Sequence, residues 1–234
     1  MILHAYIMCW NEEKILAKTL DYYSKYCDKI ILMDNMSTDK SLEIAKTYPK
    51  VEIMQFDTGG KISEIVYLQL KTECYKYSRG KADWVIVCDC DEIVYGLDSL
   101  AILNPEKDVP YLEGYQMMVN SFEEFDKAKQ ILDIRKGFRD EVFDKVVLFN
   151  PNVNIQWGFG CHNSNIIPTT NKAHCKLLHY KYLGRDYIKW KNARSKARLS
   201  EFNKSRKLGD HYNVTDLEVD QMFYKYLPKL IEVI

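Results

Sequence analysis

Four continuous apolar runs, at residues 2–8, 29–33, 51–56 and 84–88, are separated by segments long enough to form helices. Continuous rather than alternating apolarity marks strands covered on both faces, and parallel strands need crossovers of helical length. The pattern reads βαβαβαβ, so the fold class is α/β, with a mostly parallel sheet flanked by helices. In the third helical segment Ile62, Ile65, Val66, Leu70, Cys74 and Tyr77 recur at spacings of three and four, one stripe for packing on the sheet. Thr38-Asp39 caps the start of the second helix and Tyr48-Pro49 closes it.

Open parallel sheets bind ligands beyond the carboxyl ends of their strands. Three polar clusters fall there: Trp10-Asn11-Glu12 after the first run, Asp34-Asn35-Met36-Ser37-Thr38-Asp39 after the second and Asp89-Cys90-Asp91-Glu92 after the fourth. Alternate residues of an extended segment point the same way, so Asp89 and Asp91 face one side together. Hard cations such as Mg²⁺ and Mn²⁺ favour carboxylate oxygen and share their shell with substrate phosphates. An acid-x-acid pattern alone is common in polar loops; its place behind a buried strand gives it weight. The Asp34 cluster reads either as a turn with a helix cap or as a carboxylate accepting hydrogen bonds from a base such as uracil or guanine. Together the clusters point to a nucleotide-sugar site.

Length and composition set outer bounds. A chain of 234 residues is one large domain, or one with a small appendage, and buries roughly 70% of its unfolded surface. Its formal charge is zero, which gives no electrostatic case for a nucleic-acid partner. Seven cysteines, an odd number without C-x-x-C spacing, imply reduced thiols and a cytoplasmic setting rather than a zinc ribbon. No secretory leader and no membrane-spanning run is expected.

The regular alternation ends near Gly96. Residues 1–95 form the donor-binding half, residues 96–180 an acceptor-facing, catalytic half of the same domain, and residues 181–234 a helical C-terminal segment. Stretches 111–120 and 145–149 are strand-like, 187–208 is helical and basic, and a last helix begins near Thr215. The basic segment reads as a solvated face, as a peripheral contact with anionic membrane, or as a surface for a phosphate-bearing acceptor. His179, flanked by Leu178 and Tyr180, has the setting of a core histidine. His162 follows two glycines that allow backbone to approach a ligand.

Taken together these residues resemble glycosyltransferase family 2, of the GT-A (Rossmann-like) fold. Asn11-Glu12 is similar to its N-E signature, residues 34–39 to its D-x-x-S-T-D, and Asp89-Cys90-Asp91 to its D-x-D. The likeness covers about residues 1 to 95. It implies Mn²⁺- or Mg²⁺-dependent transfer of a sugar from a UDP- or GDP-type donor, normally with inversion, in polysaccharide or glycoconjugate synthesis. The acceptor would be a saccharide or a lipid-linked molecule. By the same resemblance Glu12 and Asp34, with Asn11 and Asn35, would hold the nucleoside, Asp89 the ribose or metal-bound water, and Asp91 the metal. A late histidine often completes such metal shells, which points to His179.

The family's late E-D pair and Q-x-x-R-W have no clear counterpart here. Asp144 and Asp140 lead as the catalytic base because they precede a predicted strand on the acceptor side, with Glu113 and Glu124 open. Lys145 pairs either with a donor phosphate or with a neighbouring acid, and His162 supports acceptor or metal. Two other classes stay in view. A nucleotidyltransferase shares the sheet and the metal but carries a Gly-rich basic loop near its start, where this chain has Asn and Glu. A non-catalytic carbohydrate- or membrane-binding module would use the acidic clusters only structurally.

Overall fold

The computed structural model describes residues 1–234. The first half alternates as the apolar runs require: β1 (Leu3–Cys9), α1 (Leu16–Tyr26), β2 (Lys29–Asp34), α2 (Ser41–Lys46), β3 (Val51–Gln55), α3 (Glu64–Cys74) and β4 (Trp84–Asp89). β5 (Glu92–Tyr95), β6 (Glu113–Val119), α4 (Phe122–Lys127), β7 (Lys136–Arg139), β8 (Leu148–Phe149) and β9 (Lys176–Leu183) follow. The chain ends in α5 (Arg185–Arg198), α6 (Glu201–Ser205), α7 (Asp216–Tyr226) and β10 (Ile231–Glu232).

Two sheets result. In the first, β3-β2-β1-β4 are parallel and β8 adds an antiparallel edge. β1 lies at its centre with Ala5 and Ile7 fully buried, as are Leu32 of β2 and Ile86 of β4. Ile7, Leu32 and Ile86 each contribute roughly 1.5–3 kcal/mol by leaving water. The second sheet runs β10-β7-β6-β9-β5 and is mixed, β6 and β9 being parallel and the other pairs antiparallel. The mostly parallel expectation therefore describes the first sheet, and the whole is a mixed α/β fold. The chain passes between the sheets through Cys90-Asp91, so the acidic cluster lies where they meet.

Three local expectations are corrected. Asp39 does accept a hydrogen bond from the Ser41 amide (2.9 Å), but the residue at the helix boundary is Lys40. α3 starts only at Glu64 and gives way to a 3₁₀ turn at Tyr75–Ser78, which throws Tyr77 out to 72% exposure. Tyr67, Leu68, Leu70 and Cys74 form its packed face instead, and Lys71 is buried among them. The basic segment is not one helix. It breaks at Leu199-Ser200, where the Ile62 amide donates to the Arg198 carbonyl (2.7 Å) and the Ser200 amide to the Ile62 carbonyl (3.2 Å). Ser200 then caps α6, and Thr215 opens α7 with a reciprocal capping box to Glu218. No helix is long and apolar enough to cross a membrane.

Candidate active site

A cavity of about 350 Å³ opens beyond the carboxyl ends of β1 and β4. The first half supplies Glu12, Glu64, Tyr67, Lys71, Asp89, Asp91 and Glu92 to its wall. The second half supplies Phe143, Lys145, His162, His179, Lys181, Lys191, Arg198 and Tyr212. Of the residues expected to form the site, the fold brings Glu12, Asp89, Asp91, Lys145, His162 and His179 together here.

The acids and bases are largely matched. Lys71 lies 2.8 Å from Asp89, Lys145 lies 2.6 Å from Glu92, and Lys191 lies 2.7 Å from Asp91 and 3.4 Å from Glu12. Burial raises the Asp91 pKa, but Lys191 outweighs it and holds the carboxyl well below its usual range. Burial likewise pushes Glu92 up, against which Lys145 and Lys71 hold it at about 2. Glu12 goes the other way: burial keeps its pKa raised despite Lys191. Lys145 therefore answers a neighbouring acid, the second of its two expected roles.

Three groups are left over. Glu64 lines the cavity with no basic side chain within ion-pairing distance; it accepts only the Gly160 amide (3.3 Å), and burial raises its pKa. Lys181 has no acid partner, and burial lowers its pKa. Arg198 stacks its guanidinium on Trp10, with the carbon centre 3.1 Å from the ring centroid, and donates through Nε to the Gly60 carbonyl (2.9 Å). Its buried Nη2 has no partner.

The loops after β1 and β2 are locked to each other rather than open. Asn11 takes the left-handed backbone region (φ 51°), and its Oδ1 accepts the Thr38 and Asp39 amides at 2.6 and 3.2 Å. Asn35 donates through Nδ2 to Thr58 and Tyr67, both at 2.9 Å. Both asparagines therefore shape the site from behind, and neither lines the cavity. Asp34 is fully buried behind it; Oδ2 accepts the Ser37 amide (3.0 Å), while Oδ1 has no partner. A buried carboxylate oxygen without a donor costs free energy.

Asp144 and Asp140, the expected bases, do not line the cavity. Asp144 is tied to Arg139 (2.6 Å), the Tyr111 hydroxyl and the Gly114 amide (2.8 Å). Burial raises its pKa, but these bonds, Arg139 first, outweigh it and hold the carboxyl below its ordinary value. A carboxylate so engaged is a poor proton acceptor. Asp140 caps the turn at Glu141–Phe143 by accepting the Val142 amide (3.2 Å), and its other oxygen accepts Gln116 Nε2 (2.8 Å).

No three His, Cys, Asp or Glu side chains cluster to hold a metal ion by themselves, but Asp91 and His179 Nε2 face each other at 3.4 Å, a pair that would hold a divalent cation. Mg²⁺-type sites are commonly held by one or two carboxylates, with water and substrate phosphates completing the shell. Charge points the same way. Five basic side chains (Lys71, Lys145, Lys181, Lys191, Arg198) and five acidic ones (Glu12, Glu64, Asp89, Asp91, Glu92) line the wall, leaving it neutral with neutral histidines. A diphosphate bearing two negative charges is balanced there by one dication.

The family model described as glycosyl transferase family 2 matches residues 5–104, under half of the chain. No curated protein matches the chain. Solved structures that it resembles include glucosyl-3-phosphoglycerate synthase from Mycobacterium tuberculosis with Mn²⁺, UDP and glucosyl-3-phosphoglycerate. Identity there is 15%, the TM-score is 0.35, and the match covers 49% of this chain and 44% of that one. The same enzyme with UDP alone is 14% identical with TM-score 0.35, over 53% and 47% of the two chains. The chain thus spans less than half the length of these structures.

The matched residues do not contain the whole cavity. Lys181, Lys191, Arg198 and Tyr212 lie beyond them. Arg194 lies between Trp10 and Trp190 (4.7 and 4.2 Å to the centroids), and Lys189 pairs with Asp220 (2.9 Å). Arg185, Lys196, Lys204, Arg206 and Lys207 are exposed, so the basic segment divides between the cavity and a solvated face. The signal was present in its spacing: Tyr187, Ile188, Lys191, Asn192, Ser195 and Arg198 share one helical stripe that is two-thirds polar.

Proposed function

We propose that this protein transfers a sugar from a nucleotide-diphosphate donor to a hydroxyl acceptor with inversion, and that a bound Mn²⁺ or Mg²⁺ takes part. The observation that carries the reading is the neutral, ion-paired cavity beyond β1 and β4, in which Asp91 and His179 face each other within the reach of one cation. When bound, that cation stabilises the departing diphosphate as its charge develops.

The protein's own residues do the rest. Arg198 Nη2 and Lys181 donate to phosphate or sugar oxygens. Glu64 is the base. Its raised pKa and lack of a cationic partner suit it to take the acceptor hydroxyl proton. In the displacement the acceptor oxygen bonds to the anomeric carbon as the bond from that carbon to phosphate oxygen breaks. The electron pair leaves with the nucleoside diphosphate and the proton stays on Glu64. A saccharide or lipid-linked hydroxyl meets this requirement equally. All seven cysteines are unpaired and buried, which supports a reducing, cytoplasmic setting.

The test is a thermal-shift panel of UDP- and GDP-sugars with and without Mn²⁺, followed by donor hydrolysis with the ligand that gives the largest shift. Stabilisation by one nucleotide class that grows with Mn²⁺ is expected. Absence of any nucleotide response, with or without the metal, overturns the reading.

A further inference from the structure

Three residues from three elements form one hydrogen-bonded file that ends at Asp91. Asp140 Oδ2 accepts Gln116 Nε2 (2.8 Å), Gln116 Oε1 lies 2.8 Å from His179 Nδ1, and His179 Nε2 lies 3.4 Å from Asp91. Gln116 and His179 are partners in the parallel β6–β9 register and are 3% and 8% exposed, so water does not substitute for these bonds. Phe143 stacks on the imidazole at 4.3 Å and 18°, which fixes its plane. Phe143 can approach because position 114 is glycine: a Cβ there would lie 2.5 Å from Phe143 backbone and Cβ.

The file has a direction. An ionised carboxylate only accepts hydrogen bonds, so Asp140 must face the NH₂ end of the Gln116 amide. That turns Oε1 toward the imidazole, and a carbonyl oxygen also only accepts. His179 Nδ1 must then carry the hydrogen, which leaves the Nε2 lone pair facing Asp91. A lone pair beside a carboxylate is repulsive unless a cation lies between them. We infer that Asp140, through Gln116, fixes the His179 tautomer that presents Nε2 to a divalent cation at Asp91. Asp140 and Gln116 are positioning residues. This rests on the reading of His179 and Asp91 as the cation's ligands.

Asp140→Asn tests it, because asparagine still caps the 141–143 turn but now offers an NH₂ group to Gln116. The amide then has reason to flip, its NH₂ donating to Nδ1 and moving the ring hydrogen to Nε2. Two measurements are needed on the metal-free chain and with Mn²⁺ alone. The first is the His179 tautomer at pH 8 from imidazole ¹⁵N and ¹³C shifts. The second is Mn²⁺ affinity by electron paramagnetic resonance. Wild type should show Nδ1–H, Asp140→Asn should show Nε2–H, and its Mn²⁺ affinity should fall about 10- to 100-fold. Gln116→Leu, which removes the relay without reversing it, should give a mixed tautomer and an intermediate loss. An Nε2–H or doubly protonated ring in wild type overturns the inference, as does an unchanged tautomer with unchanged affinity in Asp140→Asn. His179→Ala separates the two levels. Unchanged Mn²⁺ affinity there removes the ligand reading, while the tautomer measurement still decides the file.

Discussion

Lys191 places its ammonium 2.7 Å from Asp91 and 3.4 Å from Glu12, so a lysine from the C-terminal helix α5 bridges the acids that follow β4 and β1. Burial favours its neutral form, but Asp91 and then Glu12 outweigh that and hold its pKa well above the usual value. The ammonium is thus a built-in counter-ion within the reach of the proposed cation.

Lys191→Met should destabilise the protein by roughly 3–5 kcal/mol, because two buried carboxylates lose their shared partner. For a chain of this size about 1 kcal/mol corresponds to 2–4 °C, so Tm should fall by about 6 °C or more. Mn²⁺ should restore more of that loss than it adds to wild type, since a dication at Asp91 replaces the missing charge. Differential scanning calorimetry with and without Mn²⁺ checks this; an equal metal increment in both proteins separates Lys191 from the cation site.

Glu64→Gln should lower kcat by about 10²–10⁴-fold while nucleotide affinity changes little, as expected when a base is removed but the donor contacts remain. The raised pKa of Glu64 adds a pH signature. Activity needs the deprotonated carboxylate, so the wild-type rate should decline on the acid side of a pKa above 4.5, and that limb should vanish in the variant. A kcat close to wild type assigns the base elsewhere in the wall.

Glu92 makes stability depend on pH in acid. Its folded pKa of about 2 lies below the ordinary value of 4.5. The unfolded chain therefore binds a proton in the window between 4.5 and 2 that the folded chain refuses. The contribution is fully present above about pH 4.5 and is lost as pH falls toward 2. At 1.36 kcal/mol per pKa unit the difference amounts to roughly 3 kcal/mol. Urea denaturation of wild type and Glu92→Gln across this window should show a shallower acid loss in the variant, and parallel curves would contradict it.

The first sheet was legible because its four strands are buried on both faces and read as unbroken apolar runs. The second was not, and β9 shows why: its register puts His179 and Lys181 on the cavity side, so function interrupts the apolar pattern of Leu177, Leu178 and Tyr180. The acids after β1 and β4 were found because they follow legible strands. Lys71 and Lys191 were missed because a basic residue on a helix ordinarily faces water. Only the burial of their partners, distant in sequence, draws them inward. The acids proposed as base sat beside a strand, but chain proximity does not tell which face of β6 they occupy. Arg139 and Gln116 engage them outside the cavity lining.

Arg198 lines the cavity from a part of the sequence remote from Trp10. Its guanidinium lies on the Trp10 ring, its backbone carbonyl holds the Ile62 amide, and Nη2 is buried without an acceptor. Arg198→Lys keeps the charge but loses the flat face that stacks on Trp10 and the second donor, neither of which a lysine ammonium reproduces. A desolvated cation–π contact is worth up to about 2 kcal/mol, and 1.4 kcal/mol is tenfold in affinity. Nucleotide Kd by calorimetry should therefore rise about 10-fold or more. Sedimentation with anionic vesicles distinguishes this from an outward basic face. Reversing Arg194 and Arg198 to glutamate should abolish nucleotide binding without changing association with vesicles, because both side chains are already spent on Trp10. If instead vesicle binding falls and nucleotide Kd holds, α5 presents its charge outward and the cavity ends short of Arg198.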